Sequence, residues 1–283
     1  MDATPLPAPE ALTSAEGVVL GVRHFEPESA PWAAVLIAPA MGVPARYYAG
    51  LAAWLAQQGA AAMTFDFRGI GDSRTQPLRR TRADLHDWVQ DQNAALEHLA
   101  ARRPGLPLLV LGQSLGAQLC GLLPARERIK GLLALSLGSG YVGHMKPRFR
   151  PAARVFLHAV APLATRLCGY FPGGRLGMVG DLPAGVMRHW RRWCLSPEYL
   201  LSSERVHERF RTARFALVSL YCEDDEMLGE AGARMMFQAH GSGRHFETLR
   251  PGAGERIGHL GIVHSRHRSS RWPQLLHHLR ALT

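Results

Sequence analysis

Short apolar runs alternate along this chain with segments of helical length, and that alternation limits the possible folds more than any other feature. WAAVLIAPA (32–40), AAMTFDF (61–67), LPLLVLG (106–112) and IKGLLALSL (129–137) have strand length. They are apolar at successive positions, as strands covered by helices on both faces are. ARYYAGLAAWLAQQG (45–59) puts Tyr48, Leu51, Trp54 and Leu55 on one helical stripe, with Gly59 as a stop. TRADLHDWVQDQNAALEHLAARRPG (81–105) is a longer amphipathic segment ended by Pro104-Gly105. GVVLGVRHF (17–25) reads as an edge strand and AQLCGLL (117–123) as the start of a helix. The pattern resumes late in the chain, with strands at 215–225 and 245–251 and helices at 231–240 and 272–282. Strand and helix in turn predict an α/β fold with a doubly wound, mostly parallel sheet.

The alternation breaks near Tyr141. From there to Arg214 the text carries Pro147, Pro151, Pro162, Pro172, Pro183 and Pro197, with amphipathic stretches between them. The reading is therefore a core at 17–140 and 213–283 with a mainly helical insertion at 141–212. An insertion after the strand at 129–137 falls at the carboxyl edge of the sheet, where such folds bind ligands. Residues 1–16, rich in Pro, Ala and Ser, are expected to be a loosely held leader. They show neither a basic start nor an apolar run, so no secretory signal is expected. No stretch of 18 apolar residues is present, so no membrane span is expected, and a cytoplasmic protein is the default.

The charge is unevenly spread. Of a net +10, Tyr141 to Arg214 carries thirteen Lys and Arg against Asp181, Glu198, Glu204 and Glu208. Such a patch can attract nucleic acid, an anionic membrane surface or an acidic substrate, or can be simply a solvated arginine-rich face. Cys120, Cys168, Cys194 and Cys222 form no C-x-x-C pair, so neither a metal site nor a disulfide framework is expected.

LLVLGQSLGAQL (108–119) carries the chemistry. Gly112-Gln113-Ser114-Leu115-Gly116 follows a buried-type strand and opens a helix, the context a nucleophile elbow needs. A side chain at 112 or 116 would crowd the neighbouring strand and helix, and glycine relieves this. The helix start beyond Ser114 offers free N–H groups to a developing oxyanion. A serine nucleophile needs a base, and the base an orienting carboxylate, in the order Ser, acid, His for this fold. CEDDEM sets Asp224 and Asp225 at the carboxyl end of a strand, and GERIGHLGIVH sets His259 in a glycine-flanked loop before the last helix. His264, His267, His277 and His278 lie in a basic stretch or on that helix and need no function.

With these motifs the chain resembles the α/β-hydrolase superfamily over about 17–140 and 213–283. FDFRGIGDS (65–73) is similar to the family's Asp-x-Arg-Gly-x-Gly-x-Ser turn, and YCEDDEM to its Gly-x-x-Asp loop, with Cys222 in the glycine's place. That registration implies Asp225 as the acid. APAMGVPARYY departs from the usual His-Gly, and the resemblance implies the Met41 amide as the second oxyanion donor beside that of Leu115. PAMGVPARYY, GYFPGGRLGMVGDLPAGVMRHWRRWC and IGHLGIVHSR resemble a sparsely characterised group of bacterial α/β-hydrolases. The resemblance implies that 141–212 is a cap over the nucleophile that shapes the acyl or alcohol pocket.

The expectation is thus a serine hydrolase acting through an acyl-enzyme on a small-molecule carboxylic ester or thioester, with an anionic one, drawn by the basic cap, among the candidates. No metal or cofactor is called for, and neither nucleic acid nor a membrane span enters the reading. The same three residues also serve acyl transfer or amide and peptide cleavage. The rival of a different class is a non-catalytic protein that binds through the basic face.

Overall fold

The computed structural model describes residues 6–178, 180–241 and 244–283. From the N-terminus the chain forms β1 (Glu10–Thr13), β2 (Val19–Phe25), β3 (Ala34–Ala38), α1 (Ala49–Gln57), β4 (Ala61–Phe65), α2 (Leu85–Arg102), β5 (Leu108–Gln113), α3 (Leu115–Gln118) and β6 (Gly131–Leu135). A long insert follows. It contains α4 (Arg150–Val155), a π-helical turn (Phe156–Val160), α5 (Ala161–Cys168), a hairpin of β7 (Tyr170–Phe171) and β8 (Leu182–Pro183), α6 (Ala184–Cys194), α7 (Leu200–Ser203) and α8 (His207–Arg211). The fold closes with β9 (Ala216–Cys222), α9 (Glu230–Ala239), β10 (Arg244–Leu249) and α10 (Trp272–Ala281).

Eight strands form one sheet in the order β1-β2-β4-β3-β5-β6-β9-β10. β2 pairs antiparallel with both β1 and β4, and every pairing from β4 to β10 is parallel. The period-2 alternation divides the strand residues between two apolar cores. Leu36, Phe65, Val110 and Leu132 face the side covered by α2, α3 and the insert. Ile37, Leu111, Leu133 and Leu220 face α1 and α10. The chain leaves β3 toward β4 on one side and returns to β5 on the other. The carboxyl ends of β3 and β5 therefore flank the switch point, where loops diverge and leave a crevice.

Two expectations need correction. Residues 10–13 are not a loose leader. Ser14 and Gly17 close a turn, with the Ser14 amide on the Val18 carbonyl at 2.8 Å, and β1 folds back onto β2 in register Glu10 to Val22. As a result β2 is not the edge strand but lies between β1 and β4.

Among the described residues, the insert has no core of its own. Leu157, Phe171, Val186, Trp193 and Phe210 belong to the same apolar cluster as the sheet face above α2 and α3. The helical run continues from Arg150 to Cys168 through Pro162. Proline removes an N–H and crowds the preceding turn, and the wider π turn just before it accommodates both. Cys120, Cys194 and Cys222 are buried, Cys168 is half-buried, and all four are free thiols.

The FDFRGIGDS turn acts as structural wiring. Asp66 accepts from the amides of Ala45 at 2.7 Å and Asp72 at 2.9 Å. Arg68 donates from its amide and its Nε to the two oxygens of Asp91, each at 2.8 Å, and Asp91 has no exposed surface. Removing Asp91 would leave the buried Arg68 amide and Nε without their acceptor, and the guanidinium with only the more exposed Glu16 and Asp87. Asp91→Ala is therefore expected to lower unfolding free energy by about 3 kcal/mol in urea titration, and Arg68→Met together with Asp91→Leu to recover part of the loss.

Candidate active site

Ser114 sits between β5 and α3 with φ 51° and ψ −113°, a region that non-glycine residues rarely occupy. The surrounding hydrogen bonds hold it there. Its amide donates to the Leu135 carbonyl at 2.8 Å, continuing the ladder to β6, and its carbonyl accepts from Ala117 at 3.1 Å and Gln118 at 3.0 Å. The two flanking glycines are required by space. A Cβ on Gly116 would stand 2.3 Å from the Ala38 carbonyl oxygen, and one on Gly112 2.7 Å from the Ala117 backbone. β5, α3 and β3 approach too closely for any side chain there.

β9 ends in Cys222, and three of the four acids that follow it, Asp224, Asp225 and Glu226, each hold a different group of the loop that carries His259. Asp224 accepts from the Ile257 amide at 2.8 Å, and Glu226 from the His259 amide at 3.1 Å. Asp225 meets the His259 ring, Oδ2 to Nδ1, at 2.7 Å. Of the two aspartates left open by the strand-end position, it is Asp225 that faces the imidazole, whereas Asp224 braces the loop. Asp225 Oδ1 also accepts from the amides of Met227 and Leu228, each at 2.8 Å. Burial alone would raise the pKa of this carboxyl. The His259 hydrogen bond and charge, with the two amides, outweigh burial and hold it below its ordinary value. The His259 carbonyl accepts from Gln113 Nε2 at 3.0 Å and Ser136 Oγ at 3.2 Å, which ties the loop to the ends of β5 and β6.

Ser114 and His259 open on one cavity of about 320 Å³ between the sheet edge and the insert, and Met41 and Leu115 line it too. Leu115 is the first residue of α3, where amides have no partner within the helix. Met41 follows Ala40, whose amide donates to the buried Tyr48 hydroxyl at 2.9 Å, and the same loop is fixed at Ala45 by Asp66. From the insert come Met145, Phe149, Phe156 and Trp190, so the lining is overwhelmingly apolar. Among the described residues, no lysine or arginine lines it. The basic charge that suggested an anionic substrate lies on the outside of the insert instead.

Sequence reasoning missed the supports of the site. Gln113 and Ser136 follow from no motif, because their role is to reach a carbonyl brought near by β9 and the last loop. Lys146 in the insert donates to the Asp225 carbonyl at 2.6 Å. Elsewhere, His86, His189 and Glu204 bring ligand-type atoms within 4.8 Å of one another where the insert meets α2. The Arg192 guanidinium stands 2.7 Å from both His189 Nε2 and Glu204 Oε1, in the place a cation would take. Burial would raise the Glu204 pKa, but hydrogen bonds from Trp193, Arg192 and His189 bring it down to about 2.

A mostly parallel sheet with a strained serine elbow at its switch point, and an Asp-His pair delivered by the last two strands, defines an α/β-hydrolase. Within that superfamily the family model described as "Serine aminopeptidase, S33" matches residues 29–174, about half of the chain, and the chain belongs to that family. Human monoglyceride lipase is 28% identical over 117 residues, which are 41% of this chain and 38% of that protein. The chain thus matches well under half the length of that curated relative. The structure of a soluble variant of the Saccharomyces cerevisiae monoglyceride lipase superposes with a TM-score of 0.70 at 17% identity, covering 100% of this chain and 97% of that one. Est816, described as an N-acyl homoserine lactone degrading enzyme, gives 0.64 at 15% identity, covering 97% of this chain and 100% of its own. At these identities the two structures are alike in fold.

The depressed Asp225 pKa has a consequence for stability. A carboxyl whose pKa is lower folded than unfolded contributes stability above its unfolded value, here 3.8, and loses it as pH falls through the folded one. The stability gap between wild type and Asp225→Asn is therefore expected to be constant above about pH 5 and to narrow below 3.8, as followed by urea titration at each pH. In the same assay Gly116→Ala is expected to cost about 2 kcal/mol or more, because the obstruction is backbone and cannot turn aside.

Proposed function

We propose that this protein is a serine hydrolase of neutral carboxylic monoesters with an apolar acyl chain. The observation that carries the reading is the Asp225–His259 pair at 2.7 Å facing the cavity that Ser114 also faces. In this mechanism Ser114 Oγ attacks the ester carbonyl while His259 Nε2 takes its proton. Asp225, held ionised by the hydrogen bond and charge of His259 together with its two amides, keeps the Nδ1 proton in place and stabilises the imidazolium. The tetrahedral oxygen receives the amides of Leu115 and Met41. The C–O bond to the alcohol then breaks, His259 returns the proton to the departing alkoxide, and an acyl-enzyme on Ser114 remains. Water, deprotonated by His259, attacks that acyl group, the bond to Ser114 Oγ breaks, His259 returns the proton to that oxygen, and the acid is released.

The substrate class follows from the lining. About 320 Å³ is near the lower end of small-ligand pockets. Its apolar wall suits a hydrocarbon chain and offers no fixed cation for a phosphate or carboxylate. The insert then serves as a cap: Phe149, Phe156 and Trp190 line the same cavity as Ser114 and would shield the acyl group from water. A monoacylglycerol, the substrate in the name of the human relative, is the natural first compound to test. Glu226 also lines the cavity and gives an aminopeptidase reading its one support, a carboxylate for a substrate amine. That carboxylate is already engaged by the His259 amide, so the ester reading is preferred.

A panel of p-nitrophenyl esters of increasing chain length, with monoacylglycerols and aminoacyl anilides beside them, tests the proposal. Esters with medium apolar chains should be turned over fastest, and Ser114→Ala should lower kcat by about 10³-fold or more. Faster cleavage of aminoacyl anilides, or activity that survives Ser114→Ala, would contradict it.

A further inference from the structure

Seven of the eleven large apolar side chains that stand exposed among the described residues fall between Phe149 and Met178. Leu167 is 76% exposed, Val155 60% and Leu163 58%, on the continuous run of α4, the π turn and α5. Soluble chains carry single exposed apolar residues without consequence, but a concentration of them marks an interaction surface.

The charge pattern says which kind. From Tyr141 to Gly180 the chain has Lys146, Arg148, Arg150, Arg154, Arg166 and Arg175, and no aspartate or glutamate. Four of the exposed apolar residues directly follow an exposed arginine, as Arg148-Phe149, Arg154-Val155, Arg166-Leu167 and Arg175-Leu176. An arginine beside each protruding apolar side chain suits a boundary where hydrocarbon and anionic headgroups meet within a few ångströms. A nucleic acid would take the charge but gain nothing from Leu163 and Leu167. A second copy of this face would set its four exposed arginines, Arg148, Arg154, Arg166 and Arg175, against four. No described helix is long and apolar enough to cross a bilayer, so the contact would be one of lying on the surface.

We infer that the α4–α5 face of the insert docks this protein onto an anionic lipid surface. Phe149 and Met178 belong both to the exposed face and to the cavity lining, so docking brings the cavity rim to the lipid boundary. An apolar ester can then pass from the lipid to Ser114 with little exposure to water. The delivery rests on the esterase reading. The docking does not, since it involves neither Ser114 nor His259.

The test is co-flotation of the full chain with vesicles of phosphatidylcholine mixed with phosphatidylglycerol, beside vesicles of phosphatidylcholine alone. Wild type and Ser114→Ala are both expected to float with the mixed vesicles, more weakly as salt rises and far less with the neutral ones. Leu163→Glu with Leu167→Glu should weaken flotation about tenfold or more while leaving circular dichroism and turnover of a short water-soluble ester unchanged, because neither residue lines the cavity. Arg154→Gln with Arg166→Gln should remove most of the preference for phosphatidylglycerol. The inference is overturned if wild type fails to float with mixed vesicles, or if the double glutamate variant floats equally well. It is also overturned if the same face instead retains duplex DNA, or if it forms a dimer that the double glutamate variant abolishes. Loss of ester turnover in every assay with flotation intact would count against the esterase reading and leave the docking standing.

Discussion

The contact between α3 and the end of β3 sets the geometry of everything around it. At Gly116 the two backbones meet with no room for a Cβ against the Ala38 carbonyl, and at Gly112 the strand and the returning helix are equally close. This packing forces the tight turn that leaves Ser114 in its strained conformation, and the ladder bond to Leu135 keeps it from relaxing. It also places the first amide of α3 beside the loop leaving β3. Met41 stands in that loop, between anchors at Tyr48 and Asp66. A serine, a helix start and a second backbone segment therefore converge through backbone packing alone, which explains why the side chain at position 41 need not be of any particular kind.

The rest of the site is brought to this point by the carboxyl ends of later strands. Three consecutive acids after β9 grip the last loop at the Ile257 amide, the His259 amide and the His259 ring, while Gln113 and Ser136 hold its carbonyl from the other side. The imidazole is thus fixed by its own loop as well as by Asp225. The insert takes part in the same framework. Lys146 donates to the Asp225 carbonyl, Tyr199 donates to Gln118 on α3 at 3.2 Å, and the Phe210 ring packs where a Cβ on Gly121 would be. Because it shares the apolar core of the sheet, the insert cannot be removed without exposing that face.

The parallel strands were legible because burial on both faces writes an unbroken apolar run, and the elbow because the crowding it relieves admits only glycine on either side of the serine. β1 escaped for the opposite reason. An edge strand such as EALT is mostly exposed, and only the Ser14–Gly17 turn returns it to β2. In the insert, the amphipathic stretch AARVFLHAVAPLATRL (152–167) runs through Pro162, and the helical run is continuous there because a π turn precedes that proline. The choice between Asp224 and Asp225 lay beyond strand position, since both stand at the same strand end. It is decided by which carboxylate turns toward the ring. The basic charge was visible as a count, but its separation from the cavity was not, because that depends on which side of each insert helix faces inward.

The central claim is that Ser114 is an activated nucleophile, and covalent trapping tests it most directly. Wild-type protein treated with a fluorophosphonate should gain one adduct by intact mass, mapped by peptide sequencing to Ser114, and His259→Ala should label far more slowly. A folded wild-type protein that takes up neither this reagent nor a smaller organophosphate able to pass beneath the insert, or an adduct on another residue, would contradict the account.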